Sequence, residues 1–64
     1  MDMEIIDTVR ADTLTEGDTI MHDGSLEEIL SVQDDGDVLT LFLEDSGETS
    51  IHPDLMVNIY GYTD

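Results

Sequence analysis

The sequence predicts an all-β fold, a small barrel of five to six short antiparallel strands. Three observations carry this. The run Val38–Leu43 is apolar except for Thr40, and an acidic glycine turn stands on each side of it: Asp34-Asp35-Gly36-Asp37 before and Glu44-Asp45-Ser46-Gly47-Glu48 after. A run this short and rich in β-compatible side chains reads as a central strand, and glycine in each turn supplies the positive φ of a tight reversal. Similar short runs recur along the chain at roughly eight-to-twelve-residue spacing, the signature of a sandwich or barrel. With 64 residues the chain makes one domain, residues 1–64, and at that size the barrel is the expected form.

Taken in order, Glu4–Arg10 reads as the first strand, with Ile5, Ile6 and Val9 supplying apolar contact. Ala11–Gly17 is a loop from which Leu14 points inward. Asp18–His22 alternates around Ile20 as a short strand, and Asp23-Gly24 is a hairpin turn signal. Leu26–Gln33 is the ambiguous segment. Leu26, Ile29 and Leu30 fall at helical spacing, and Ser25 with Glu27 and Glu28 would suit a helix start. A helix so short is marginal alone. Ringed by hairpin turns, the segment reads as a strand, with Leu26, Glu28, Leu30 and Val32 sharing one face.

Val38–Leu43 then places Leu39, Leu41 and Leu43 on the core face, and Glu48–His52 returns as its antiparallel neighbour. His52-Pro53-Asp54-Leu55 breaks the ladder, because proline fixes φ and cannot donate. Met56–Tyr62 closes the sheet with Val57 and Ile59 inward. Phe42, Met56, Tyr60 and Tyr62 fall on the opposite parity. They are either buried by barrel curvature or stand as apolar anchors within an acidic rim, the composition of a partner-binding patch.

Charge is the dominant compositional fact. Seventeen acids face a single basic residue, Arg10, for a formal net charge of −16. Such self-repulsion destabilises the compact state and makes nucleic acid and anionic membranes poor partners, whereas a basic protein surface is a good one. Acidic chains of this kind often stay disordered. Here the apolar fraction is 39% and patterned, with the acids dispersed or at turns, which predicts folding. A domain of this size buries only about 60% of its unfolded surface, leaving little volume for a cofactor pocket, and none is expected. Cysteine is absent, so thiolate metal sites and disulfides are excluded. No apolar run approaches 18 residues and Met1-Asp2-Met3-Glu4 is acidic where a signal peptide is basic, which predicts a whole, cytoplasmic chain.

Catalytic and metal constellations are weak. Asp34, Asp35 and Asp37 around Gly36 offer hard oxygen ligands, but without the spacing or terminal glutamate of an EF-hand; a solvated hairpin turn is the expectation. His22 and His52 are too few for a closed zinc site. Nothing pairs a nucleophile with a base, and there is no glycine-rich phosphate loop, so no enzymatic activity is expected.

The motifs carry a resemblance. Leu14-Thr15-Glu16-Gly17-Asp18-Thr19-Ile20 resembles the L-x-x-G-D-x-I segment of SH3-like barrels, and Ile51-His52-Pro53-Asp54-Leu55-Met56-Val57-Asn58-Ile59 is similar to their proline-containing ending. The resemblance implies a 3-10 turn before the last strand. It does not extend to the aromatic segment and tryptophan by which true SH3 domains grip proline-rich peptides: Thr8-Val9-Arg10-Ala11-Asp12 stands there, and tryptophan is absent. Nor does the chain have the basic groove of RNA-binding small barrels.

Three readings of the acidity follow. The protein is a polyanionic mimic that occupies a basic surface of a nucleic-acid-binding protein, an assembly subunit meeting basic neighbours, or a salt-adapted chain whose acids serve solubility. In composition it resembles phage-encoded inhibitors of host enzymes. A compact chain of this length is roughly 27 Å across, and duplex DNA of that length carries about 16 charges at one per ~1.7 Å. The candidate partner-binding residues are Asp12, Glu16 and Asp18 in the first loop and Asp34, Asp35 and Asp37 in the second. In an SH3-like barrel these loops would flank one groove, with Glu44, Asp45 and Glu48 toward the far end. Because like charges crowd a small surface, the melting temperature (Tm) is expected to rise between low and moderate sodium chloride. A Tm flat in salt, measured by circular dichroism, would show the acids too far apart to repel.

Overall fold

Six antiparallel strands form one curved sheet in the computed structural model, which describes residues 2–62. In chain order they are β1 (Met3–Arg10), β2 (Thr19–His22), β3 (Ser25–Asp34), β4 (Leu39–Leu43), β5 (Gly47–Ile51) and β6 (Met56–Tyr62). The spatial order is β1-β6-β2-β3-β4-β5, so β1 and β5 are edges and the sheet does not close into a barrel. Among the described residues no helix is long and apolar enough to cross a membrane.

Turn chemistry agrees with the sequence. His22 pairs with Ser25 across a two-residue reversal in which Asp23 and Gly24 both have positive φ, at 49° and 82°. That geometry matches the right-handed twist of a hairpin and favours an Asp-Gly pair. Gly36, at φ 89°, performs the corresponding reversal between β3 and β4, where Asp34 Oδ1 accepts the Gly36 N–H.

The ambiguous segment is a strand, and it is the longest one. Its first four residues pair with β2, and from Ile29 onward it pairs with β4. The register shifts between Ile29 and Ser31, a bulge that bends the strand as it changes partner. The face expected from alternation is corrected here. Ile29 and Glu27 are buried, while Leu26 and Leu30 are exposed. Alternation alone would leave Val32 on the side of Leu26 and Leu30, but the extra residue at the bulge resets the phase and Val32 packs against the core.

The core is Ala11, Leu14, Ile20, Ile29, Leu39, Leu41 and Leu43, with Val9, Val32, Ile51, Val57 and Ile59 packed around it. The inward leucines of β4, the inward Leu14 and the inward Val57 and Ile59 fall where the pattern put them. Truncating one buried leucine costs about 2–5 kcal/mol in other cores. Roughly 0.05–0.15 kcal/mol per residue is the whole stability of a typical domain, so each of these side chains is decisive. Ile5 and Ile6 do not join them, at 52% and 57% exposure. Beyond the single Thr19–Tyr60 pairing to β2, β6 continues with β1 as a two-stranded ribbon, and among the described residues no further strand pairs with it there.

The 3-10 turn also departs from the sequence expectation. It lies at Ala11–Thr13, after β1, and not before the last strand. The segment before β6 is a single reverse turn closed by Leu55 N–H donating to His52 O at 3.2 Å. The two segments meet: Ala11 and Asp12 donate their N–H groups to Leu55 O and Pro53 O at 2.8 and 2.9 Å. Proline supplies only an acceptor there, which suits it to receive from another segment.

Glu27 is the one buried acid among the described residues, 2% exposed. Its Oε1 accepts N–H bonds from Asp45 and Ser46 at 3.0 and 2.6 Å, and its Oε2 accepts the Ser46 hydroxyl. A carboxylate desolvated in this way is tolerated because the turn's donors replace water. The Ser46 hydroxyl bond, followed by the two N–H bonds, holds the Glu27 carboxyl below its ordinary 4.5 against the opposing effect of burial. A depressed folded-state value stabilises the fold above the unfolded value, and that contribution disappears as pH falls through the folded one. Glu27→Gln is therefore expected to lower Tm at pH 7 by on the order of 5 °C, with the gap from wild type closing only below pH 4.5. A gap unchanged into strong acid would show that the carboxylate form is not what holds the turn.

Candidate functional site

Two features stand out on the surface: the distribution of the acids, and an apolar cleft where the sheet fails to close. Every described acid except Glu27 and Asp18 is exposed. The sole Arg10 is already engaged, its Nη2 3.1 Å from Asp12 Oδ2. The Asp12 hydrogen bond and charge, with a further contribution from Asp54, hold the guanidinium above its ordinary value.

The candidate residues divide between two ends of the sheet, which corrects the expected grouping. Asp34 pairs with Leu39, and Leu39 with Ile51, so the Asp34–Asp37 turn and the chain leaving β5 share one end of β4. Asp12, bonded to Pro53, belongs near this end. Glu16 and Asp18 do not. Gly17 N–H donates to Ile29 O and Ile29 N–H donates to Asp18 O, at 2.9 and 2.8 Å. Ile29 pairs with Leu43, and Glu44 N–H donates to Glu28 O, so Glu16 and Asp18 share the end that carries Glu44, Asp45 and Glu48. The two ends are separated by the five residue steps from Ile29 to Asp34, about 16 Å of strand. The Glu16–Asp18 part of the first loop thus joins the third, because its backbone pairs across the middle of β3 instead of reaching its tip.

Several of these acids have local tasks. Asp34 caps Gly36, and Asp35 accepts from Gln33 Nε2 at 2.7 Å and from the Thr40 hydroxyl at 2.9 Å. Asp18 Oδ2 accepts the Thr15 N–H at 3.0 Å, closing the turn that leads into β2. Among the described residues no three His, Asp or Glu side chains converge in a group able to hold a metal ion.

The cleft lies between the β4–β5 side of the sheet and the β2–β6 side. Its lining includes Ile20, Leu41, Thr49, Ile51, Met56 and Tyr60, and its volume is about 250 Å³. That is below the roughly 300–1,000 Å³ typical of small-molecule sites. It has room for a few aliphatic side chains. Met21, Leu55 and Met56 stand at its margins with 47%, 53% and 58% exposure. Its polar members are His22, Thr49, Asn58 and Tyr60; the Asn58 carbonyl oxygen is already taken by the Thr8 hydroxyl at 2.7 Å. Of the opposite-parity set, Met56 and Tyr60 line this cleft, while Phe42 is half-buried on β4 and Tyr62 is exposed on the ribbon. Sequence reasoning marked Met56 and Tyr60 by parity, but Met21 and Leu55 carried no signal beyond being apolar beside turns.

Comparisons with protein-family models, curated proteins and solved structures found no match. Asp18→Ala is expected to lower Tm by on the order of 5 °C, the worth of a lost capping bond in a small domain, whereas Asp18→Asn, which keeps the acceptor, leaves Tm nearly unchanged. Thermal melts showing the same loss for both would assign the effect to charge and not to the Thr15 bond.

Proposed function

We propose that the protein is a non-enzymatic, acidic protein-binding module of the cytoplasm, which occupies a basic surface as a nucleic-acid-mimicking inhibitor of a host enzyme would. The observation that carries the reading is the solvent exposure of nearly all the acids beside one cation that is already paired. Such a field accelerates encounter with a basic surface and rejects polyanions. The kinship with SH3-like barrels belongs to the same proposal. It is supported by the six-stranded antiparallel sheet and by the Leu14–Ile20 motif leading into β2.

The dimensions refine the mimicry. The Cα envelope measures 37 × 22 × 18 Å, longer than a compact sphere. A duplex as long as the major axis carries about 22 charges at one per ~1.7 Å, more than the chain's 16, so the match in total charge does not hold along that axis. What supports the reading is therefore local charge at the loops. An assembly role is the second reading, favoured by the two free strand edges and by exposed Ile5 and Ile6 on the ribbon.

Asp12, Asp34, Asp35 and Asp37 form the principal contact end in this proposal, with Glu16 and Asp18 at the other. The triple change Asp34→Asn, Asp35→Asn, Asp37→Asn removes the turn's charge, keeps the Asp34 acceptor and one of the two at Asp35, and gives the Thr40 hydroxyl an amide from which it can accept. It is expected to weaken capture of a partner from lysate roughly tenfold at low salt, with Tm preserved. Glu44→Gln, Asp45→Asn, Glu48→Gln removes as much charge at the opposite end and is expected to weaken it less. Equal losses would mean that net charge alone acts, and capture that is indifferent to salt would sink the electrostatic reading.

A further inference from the structure

We propose that the cleft is a strand-addition site: an extended segment of the basic partner pairs with the free edge of β5 and seats its apolar side chains between β5 and β6. The inference rests on the basic-partner reading and names how such a partner is held. β5 is the terminal strand of its side of the sheet and, among the described residues, is paired only with β4, so alternate backbone groups along its other edge lack a strand partner there. An unpaired edge is a template for a further strand.

Thr49 and Ile51, two residues apart on β5, both line the cleft, so the floor beside this edge accepts side chains at alternate positions of an added strand. The volume of about 250 Å³ suits a few aliphatic groups and not a cofactor. Met21, Leu55 and Met56 at the margins supply exposed apolar area that an occupant would cover.

Charge selects the occupant. Asp23, Glu48 and Asp54 are exposed and adjoin the lining residues His22, Thr49 and Leu55, and no lysine or arginine lines the cleft. A strand with apolar residues at every second position and Lys or Arg between them presents aliphatic groups to the floor and cations to the other face of the sheet, where alternation places Glu48. A second copy of the chain would bring another −16 and is disfavoured by repulsion.

The probes are the acetylated peptide KVKVKVK and the equally charged KKVVVKK, titrated into isotope-labelled protein at low and moderate salt. The alternating peptide is expected to bind about tenfold more tightly, with amide shifts concentrated at 49–51 and 55–60. Its advantage should be retained at moderate salt. Met56→Ser and Leu55→Ser, both at exposed positions, are expected to reduce that advantage severalfold while leaving the affinity for KKVVVKK unchanged. Equal affinities, or shifts confined to the Asp34–Asp37 and Glu44–Glu48 turns, would overturn strand addition and leave the acidic-surface reading intact. If neither peptide binds at low salt, the basic-partner reading itself fails and this inference with it. A concentration-dependent dimer protected at the same amides would give the cleft to a second copy and overturn the proposal.

Discussion

The bend of β3 is the constraint on which the rest of the molecule depends. One continuous strand is hydrogen-bonded first to β2 and then to β4, and the bulge between Ile29 and Ser31 turns the sheet as it changes partner. Leu43 pairs with Ile29 ahead of the bulge and shares its core face, and the bend beyond it carries β4 over Ile20 and Leu14 in one small core. The bulge also lets Ile29 and Val32 serve the same core from positions of unlike parity. Glu27, just before it, faces the β4–β5 turn and supplies the acceptor that the turn's N–H groups need.

Two opposing demands are met by placing charge and core on separate faces. Desolvating a carboxylate is expensive unless donors replace its water. One acid, Glu27, is treated in that way, and the others keep their hydration. Repulsion among hydrated surface charges is screened by salt, whereas the Glu27 clamp, out of water and fully bonded, is screened much less. The surface contribution to stability is therefore the more responsive to salt, and that of the β4–β5 turn the less.

The open seam follows from the same geometry. β6 lies between β1 and, at Tyr60, β2, and β5 pairs with β4 alone, so β5 and β6 are not hydrogen-bonded to each other and the sheet stays open between them. The Ala11–Leu55 and Asp12–Pro53 bonds hold the β5–β6 connection against the end of β1, and the gap between β5 and β6 contains the cleft. An acidic surface with an apolar slot combines long-range attraction with short-range selection. In the function proposed above, the first sets how quickly a basic partner arrives and the second which one stays.

The sequence alone determined the elements: the central run Val38–Leu43, the Asp23-Gly24 and Gly36 reversals, the proline break and the acidity. Each of these is set by residues adjacent in the chain, through backbone sterics, turn chemistry or composition. Even the ambiguous Leu26–Gln33 segment was legible as a strand, because the flanking turns left too little length for a stable helix. What tertiary structure decided was facing, closure and grouping. Leu26 and Leu30 lie outside because register with β2 and the bulge fix which side is inward, and neither is encoded in alternation. Ile5 and Ile6 are exposed because, among the described residues, the layer that would cover them does not extend that far. Glu16 and Asp18 left the company of Asp34, Asp35 and Asp37 through two backbone bonds to Ile29. Such contacts join residues distant in sequence, and local pattern holds no record of the pairing between them.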